Sequence, residues 1–435
     1  MRTIAVLWAS ITMASALHAQ VPTTPSDSAA RAKAKADSIA ADSIALIREL
    51  EQMQRGNAAD TTRGTQVAGP SNPRLIPDIS AIGDLVADLS PDGSTQESGN
   101  RFDIREVEVA IGAAVDPYFR ADFILGLSDL EGIAIEEAYL TALSLPAALQ
   151  ARIGRFHMPF GKQNTTHRAE LQTVEYPHVI QRFFSPEGLK GSGFWVSKIF
   201  APFGFYQELQ ATAVNRLGDA PDDSVTLAEP LNKRLSGLGY SARLRNYWDL
   251  SEAANLELSF SAMTGKVEQP LGIELSFGSV TANAVPARQS DLGIDFTYRW
   301  KPLERALYKS FILQGEVIHQ LNADAVAPLA PLICAPAPTC PLPDFGRSLT
   351  GGYVFARYQL TRRSFFGTRF DFVQNPAASE GSTKAGSTYL QFFPSEFSKF
   401  VVSYELLKPG TGLKSVNRIL LQTTFAVGPH RPHPF

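Results

Sequence analysis

Five cations fall within or beside one irregular stretch: Arg155, Lys162, Arg168, Arg182 and Lys190, set against Glu170, Glu175 and Glu187. Guanidinium groups hold phosphate oxygens bidentately, and ammonium groups act on them as point charges. Gathered at a narrow point, such cations raise the local anion concentration and lower the barrier to anion entry. The competing reading is a set of solvated loop charges paired with nearby carboxylates. His157, His167 and His178 lie in or beside the same stretch, about ten residues apart, and are read as polar loop surface rather than as metal ligands. No Gly-x-Ser-x-Gly or His-Glu-x-x-His pattern occurs, so no enzyme chemistry is assigned and no cofactor is implied.

The positioning elements are strands. Leu149, Ala151 and Ile153 share one face of a strand that must break at Pro159 and Gly161. The segment Met158–Gly191 then far exceeds an ordinary connection, which marks it as functional. In Tyr118–Ser128, Phe119, Ala121, Phe123 and Leu125 oppose Arg120, Asp122 and Gly126. Leu256, Leu258 and Phe260 likewise oppose Glu257, Ser259 and Ser261, and Leu292, Ile294 and Phe296 oppose Asp291 and Asp295. From Asp78 onward about sixteen such strands follow, each close to the length of a tilted bilayer crossing.

Every second connection is short, as at Asp116-Pro117, Ala201-Pro202 and Pro394–Glu396. The intervening ones are mostly long: Ser90–Arg101, Met158–Gly191, Asn215–Arg234, Gly265–Gln289 and Leu321–Arg347. That asymmetry predicts an all-β fold, a transmembrane antiparallel β-barrel over 78–435 that passes small hydrophilic solutes in a bacterial outer membrane. Inward wall positions include Arg120, Arg152, Arg243, Arg245, Arg299, Arg357 and Arg369. Carboxylates such as Glu106, Glu108, Glu137, Glu257, Glu316 and Glu405 share that wall, so the lining itself is mixed. Trp195, Trp248, Trp300 and neighbouring aromatics near strand ends suit the two interfacial girdles.

The strand ending Gly154-Arg155-Phe156, followed by Pro159-Phe160-Gly161, resembles the phosphate-selective porin O and P family of outer-membrane channels. The resemblance covers 78–435. It implies passive passage of anions such as phosphate, controlled by size and charge at an infolded loop, and a homotrimer. An alternative is an occluded structural or adhesive barrel whose external loops bind a partner.

Outside the barrel, Met1-Arg2, the apolar run Ile4–Leu17 and Leu17-His18-Ala19 read as a signal peptide over 1–19. Residues 20–55 form an Ala-rich arm, either a short coiled-coil helix preceding the barrel or a solvated tail, and 56–77 a linker. An exported chain is disulfide-permissive, so Cys334 and Cys340 are expected to pair; two thiols are too few for a metal. A formal net charge of −3 points to no nucleic-acid partner. The tail beyond the last strand carries His430 and His433 and ends at Phe435, a terminus like those of outer-membrane barrels.

Overall fold

The computed structural model describes residues 77–128, 132–218, 225–226, 235–276, 279–321, 348–375 and 380–428. The chain divides into two units, 1–71 and 72–435, and all described residues belong to the second. The signal peptide, the arm, nearly all of the linker, the cysteine pair and the C-terminal histidines therefore lie outside the described residues.

Sixteen long strands close an antiparallel barrel. They are β1 (Asp78–Asp88), β2 (Phe102–Ala114), β3 (Phe119–Ser128), β4 (Gly132–Leu145), β5 (Leu149–His157), β6 (Lys190–Phe200), β7 (Tyr206–Val214) and β8 (Gly239–Ser251). The second half comprises β9 (Ala254–Ser276), β10 (Ser279–Trp300), β11 (Phe311–Gln320), β12 (Leu349–Gln359), β13 (Ser364–Gln374), β14 (Ser382–Ser395), β15 (Ser398–Lys408) and β16 (Val416–Val427). Each strand pairs with its neighbour in sequence, and β1 pairs with both β2 and β16, so no edge is left open. A two-residue segment, Val225–Thr226, pairs in parallel with the outer part of β10.

The pleat places greasy residues outside. On β15, Phe400, Val402, Tyr404 and Leu406 are 44–50% exposed, whereas Lys399 and Glu405 are 8% and 7% exposed. Glu257, Ser259, Asp291 and Asp295 are likewise buried opposite exposed Phe260, Leu292 and Ile294. This inversion of a soluble protein is stable only where lipid covers the outer face.

Two features depart from the sequence reading. Gly265–Gln289 is not an irregular loop: β9 and β10 continue as one hairpin, paired to Ser276↔Ser279, beyond the last β8 partner at Thr264. The backbone ladder outweighed the Gly and Pro signals, and a register shift between Pro270 and Gly272 absorbs the proline. Trp195 is not a girdle residue either; it is 6% exposed and faces the lumen beside Arg152.

Candidate functional site

The chain between β5 and β6 folds into the barrel. Its entry is built by two glycines at which a side chain would be strained. Gly154 has φ +139° and a Cβ there would strike the Ala138 carbonyl; Gly161 has φ +63° and a Cβ would overlap the Glu316 carboxylate. Between them Phe156, Met158 and Phe160 are buried, and Phe160 meets Phe184 edge to face at 5.4 Å. Asn164, fully buried, clips the two ends of the segment together. It donates to the carbonyls of Met158 (2.8 Å) and Leu189 (3.0 Å) and accepts from the Leu189 amide (2.6 Å).

One side of the segment is apolar. The short helix α1 (His178–Phe183) buries Val179, Ile180 and Phe183, which with Leu171, Tyr176 and Leu189 pack on the wall residues Met263, Ile318, Leu349, Tyr353 and Val373. Gly351 makes room for Val179, since a Cβ would meet its side chain at 2.7 Å. Full burial of each such side chain contributes about 1.5–3 kcal/mol, so the cluster fixes the segment firmly.

The other side is polar, and there wall side chains satisfy the segment's backbone. Arg369 donates to Thr173 Oγ1 (2.8 Å) and to the carbonyls of Glu175 (2.7 Å) and Tyr176 (3.5 Å). Lys399 Nζ donates to the carbonyls of Ala169 (2.8 Å) and Leu171 (3.1 Å), and Gln391 to that of Gln172 (2.6 Å). Arg105 donates to the Val174 carbonyl (3.1 Å) and pairs with Glu175 (3.0 Å). Gly161 N donates to Ser261 Oγ, and His178 N to Asp371 Oδ1, both at 3.0 Å. The segment's polar contacts thus reach β2, β9, β13, β14 and β15, and β16 through Arg418, 3.5 Å from Glu175.

The predicted loop cations meet different fates. Lys162 pairs with Glu257 (3.0 Å), Arg168 with Glu175 (3.1 Å), and Lys190 with Glu136 and Glu187. Arg182 is exposed, with its guanidinium 3.5 Å from the Thr383 hydroxyl. Arg155 lies elsewhere: it faces outward, donating to the Ile135 carbonyl at 2.9 Å in register with Ser192, two residues before exposed Phe194. Burial draws the Lys162 ammonium down to about 8 although Glu257 opposes it. For Glu175 the order is reversed. Burial raises its pKa, but Arg105, Arg168 and Arg418 together outweigh that and hold it at about 2. Arg168 is raised, its burial outweighed by Glu175.

Of the predicted wall arginines, Arg120 pairs with Asp122, Arg243 with Asp295, Arg369 with Asp371, and Arg245 and Arg299 with Glu257. Arg152 instead lies 4.8 Å and 4.6 Å from the ring centres of Tyr139 and Trp195, and Arg357 lies 4.8 Å from that of Phe365. Arg105 and Glu136 escaped the sequence reading because each sits in a β-bulge. Asp84 pairs with Glu106 but Leu85 with Ile104, and Ile124 pairs with Glu137 but Leu125 with Ile135. Each bulge turns two successive side chains inward, which strict alternation forbids.

This arrangement is a water-facing barrel with a lateral constriction. Several solved barrels share the fold. OmpF of Salmonella typhi, solved with daunomycin, superposes with a TM-score of 0.51 at 9% identity, covering 82% of this chain and 99% of that one. The fold is that of the outer-membrane porins. An anion-selective porin from Comamonas acidovorans and the trimer form of OmpT, an outer membrane protein of Vibrio cholerae, each give 0.50 at 8% identity, over 81% of this chain and 99% of theirs. An uncharacterized protein of Aquifex aeolicus is 24% identical over 357 residues, 77% of this chain and 70% of that one. No family model matches the chain. The porin fold, with its apolar outer face, places the barrel in a bacterial outer membrane.

Proposed function

We propose that this barrel is a passive channel for small hydrophilic solutes, with small anions such as phosphate the preferred class. The observation that carries the reading is the segment 158–189, pinned across the lumen by wall donors on β2, β13, β14 and β15. It acts by narrowing the pore, without turnover. Its own cations support anion attraction less than their sequence implied, because the wall carboxylates Glu257 and Glu136 balance Lys162 and Lys190, and Glu175 of the segment itself balances Arg168. Support for an anion path moves to Arg152 and Arg357, whose guanidinium faces rest on aromatic rings rather than against a carboxylate. A homotrimer accords with the resemblance to phosphate-selective porins and with the heptad spacing of the arm.

Single-channel recording in a planar bilayer tests this directly. Discrete conductance steps with an anion-directed reversal potential in a KCl gradient are expected, and Arg152→Gln with Arg357→Gln should reduce that preference severalfold. A barrel giving no steps would favour the second reading, an occluded structural barrel, which the extent of the apolar packing around α1 supports.

A further inference from the structure

Sequence spacing alone leaves the loop histidines as scattered polar residues. Folding separates them into two groups. His178 goes to β15, where its Nε2 lies 3.3 Å from Glu405. His157 and His167 come together at the root of the infolded segment, ring centres 4.8 Å apart and nearly perpendicular, beside Glu137.

We infer that Glu137, His157 and His167 form a divalent transition-metal site, best suited to Zn²⁺, on the lumen wall. One ligand atom from each residue falls within 4.8 Å of the others. His167 Nε2 is 3.2 Å from Glu137 Oε2, and His157 Nδ1 is 3.5 Å from Glu137 Oε1. Donors around a tetrahedral ion at about 2.0–2.2 Å are themselves separated by roughly 3.3 Å, so little movement is needed. The remaining imidazole nitrogens are already committed in the way metal-binding histidines require. His157 Nε2 lies 3.3 Å from the Glu187 carbonyl and His167 Nδ1 lies 3.3 Å from Glu108. Each would donate its N–H outward and leave the other nitrogen bare toward the centre.

A second observation points the same way. His157 has a side chain only 5% exposed, and its Nδ1 is buried with no hydrogen-bond partner. Its nearest acceptor is Glu137 Oε1 at 3.5 Å, so this nitrogen and the carboxylate face one another without a formed hydrogen bond, an arrangement that an ion between them would satisfy. Glu137 is held in place through its Oε1, which accepts the His157 amide at 2.8 Å. Glu108 adds negative charge beside His167, and the nearby Lys190 is engaged by Glu136 and Glu187. Two imidazoles with a carboxylate favour zinc or a similar ion over calcium or magnesium, which prefer all-oxygen shells. The ion would tie β4 and β5 to the first turn of the segment.

Refolded full-length protein stripped with chelator and titrated with Zn²⁺ by calorimetry should bind one ion per chain. Co²⁺ in its place should give the visible bands of a low-coordinate nitrogen and oxygen site. His157→Ala or His167→Ala should weaken binding at least a hundredfold, and Glu108→Gln about tenfold. His178→Ala and the tail pair His430→Ala with His433→Ala should leave binding intact. X-ray absorption of the wild-type zinc form needs no variant and should show two imidazoles. Absence of saturable one-to-one binding, survival of binding in the His157→Ala, His167→Ala double variant, or an oxygen-only shell would each overturn the site.

Discussion

At the scale of single residues, the wall holds the segment through a few buried cations. Arg369 is the most connected, bridging Asp371 to three acceptors on the segment. Replacing it with Met leaves a buried carboxylate and those acceptors unmatched, a loss of about 3–5 kcal/mol. The expected outcome is a segment that opens, read as higher conductance and faster proteolysis between residues 168 and 178. Lys162 carries a pH dependence. It faces Glu257 on β9, Arg243 and Arg245 on β8, and Arg299 on β10. Because burial lowers it to about 8, it is charged at pH 7 and loses its proton as pH rises past 8. The constriction then becomes one charge more negative, so reversal potentials should move toward cations between pH 7 and 9. Lys162→Met should abolish that step, and an unchanged titration in the variant would assign it to another group.

At the scale of elements, the entry turn and the strand faces obey different constraints. Gly161 needs both a positive φ and the absence of a Cβ, so Gly161→Ala should cost more than the usual 1–3 kcal/mol of backbone strain. The barrel ladder does not depend on that turn. The variant should therefore keep its resistance to SDS unfolding at room temperature while the segment becomes cleavable. The strand faces answer to lipid. Val402, half exposed at the middle of β15, should tolerate Leu, whereas Val402→Arg should destabilise by about 2–4 kcal/mol in urea unfolding from lipid vesicles. A neutral result there would mean that this face does not meet hydrocarbon.

At the scale of the whole molecule, the barrel closes through nearest-neighbour pairing, and the segment is an insertion between two adjacent strands. Joining residue 162 to residue 187 by a short Gly-Ser turn should therefore leave a folded barrel. Such a shortened chain is expected to conduct several times more than the parent and to lose solute-size discrimination in liposome swelling. Failure of this chain to fold would show instead that the apolar cluster around α1 is part of the barrel's stability.

The barrel was legible in the chain because side-chain direction in a strand has a period of two, and lipid enforces it at every turn of the pleat. The order Leu-Glu-Leu-Ser-Phe at 256–260 already states which face is wet. Loop charges were legible as residue types but not as an electrostatic site. Whether Lys162 attracts an anion or neutralises Glu257 depends on a contact 95 residues away in sequence, which no local pattern carries. The bulges that turn Arg105 and Glu136 inward, the clip at Asn164 and the meeting of His157 with His167 are likewise decided only by closure of the ring, when distant strands bring their side chains to one place.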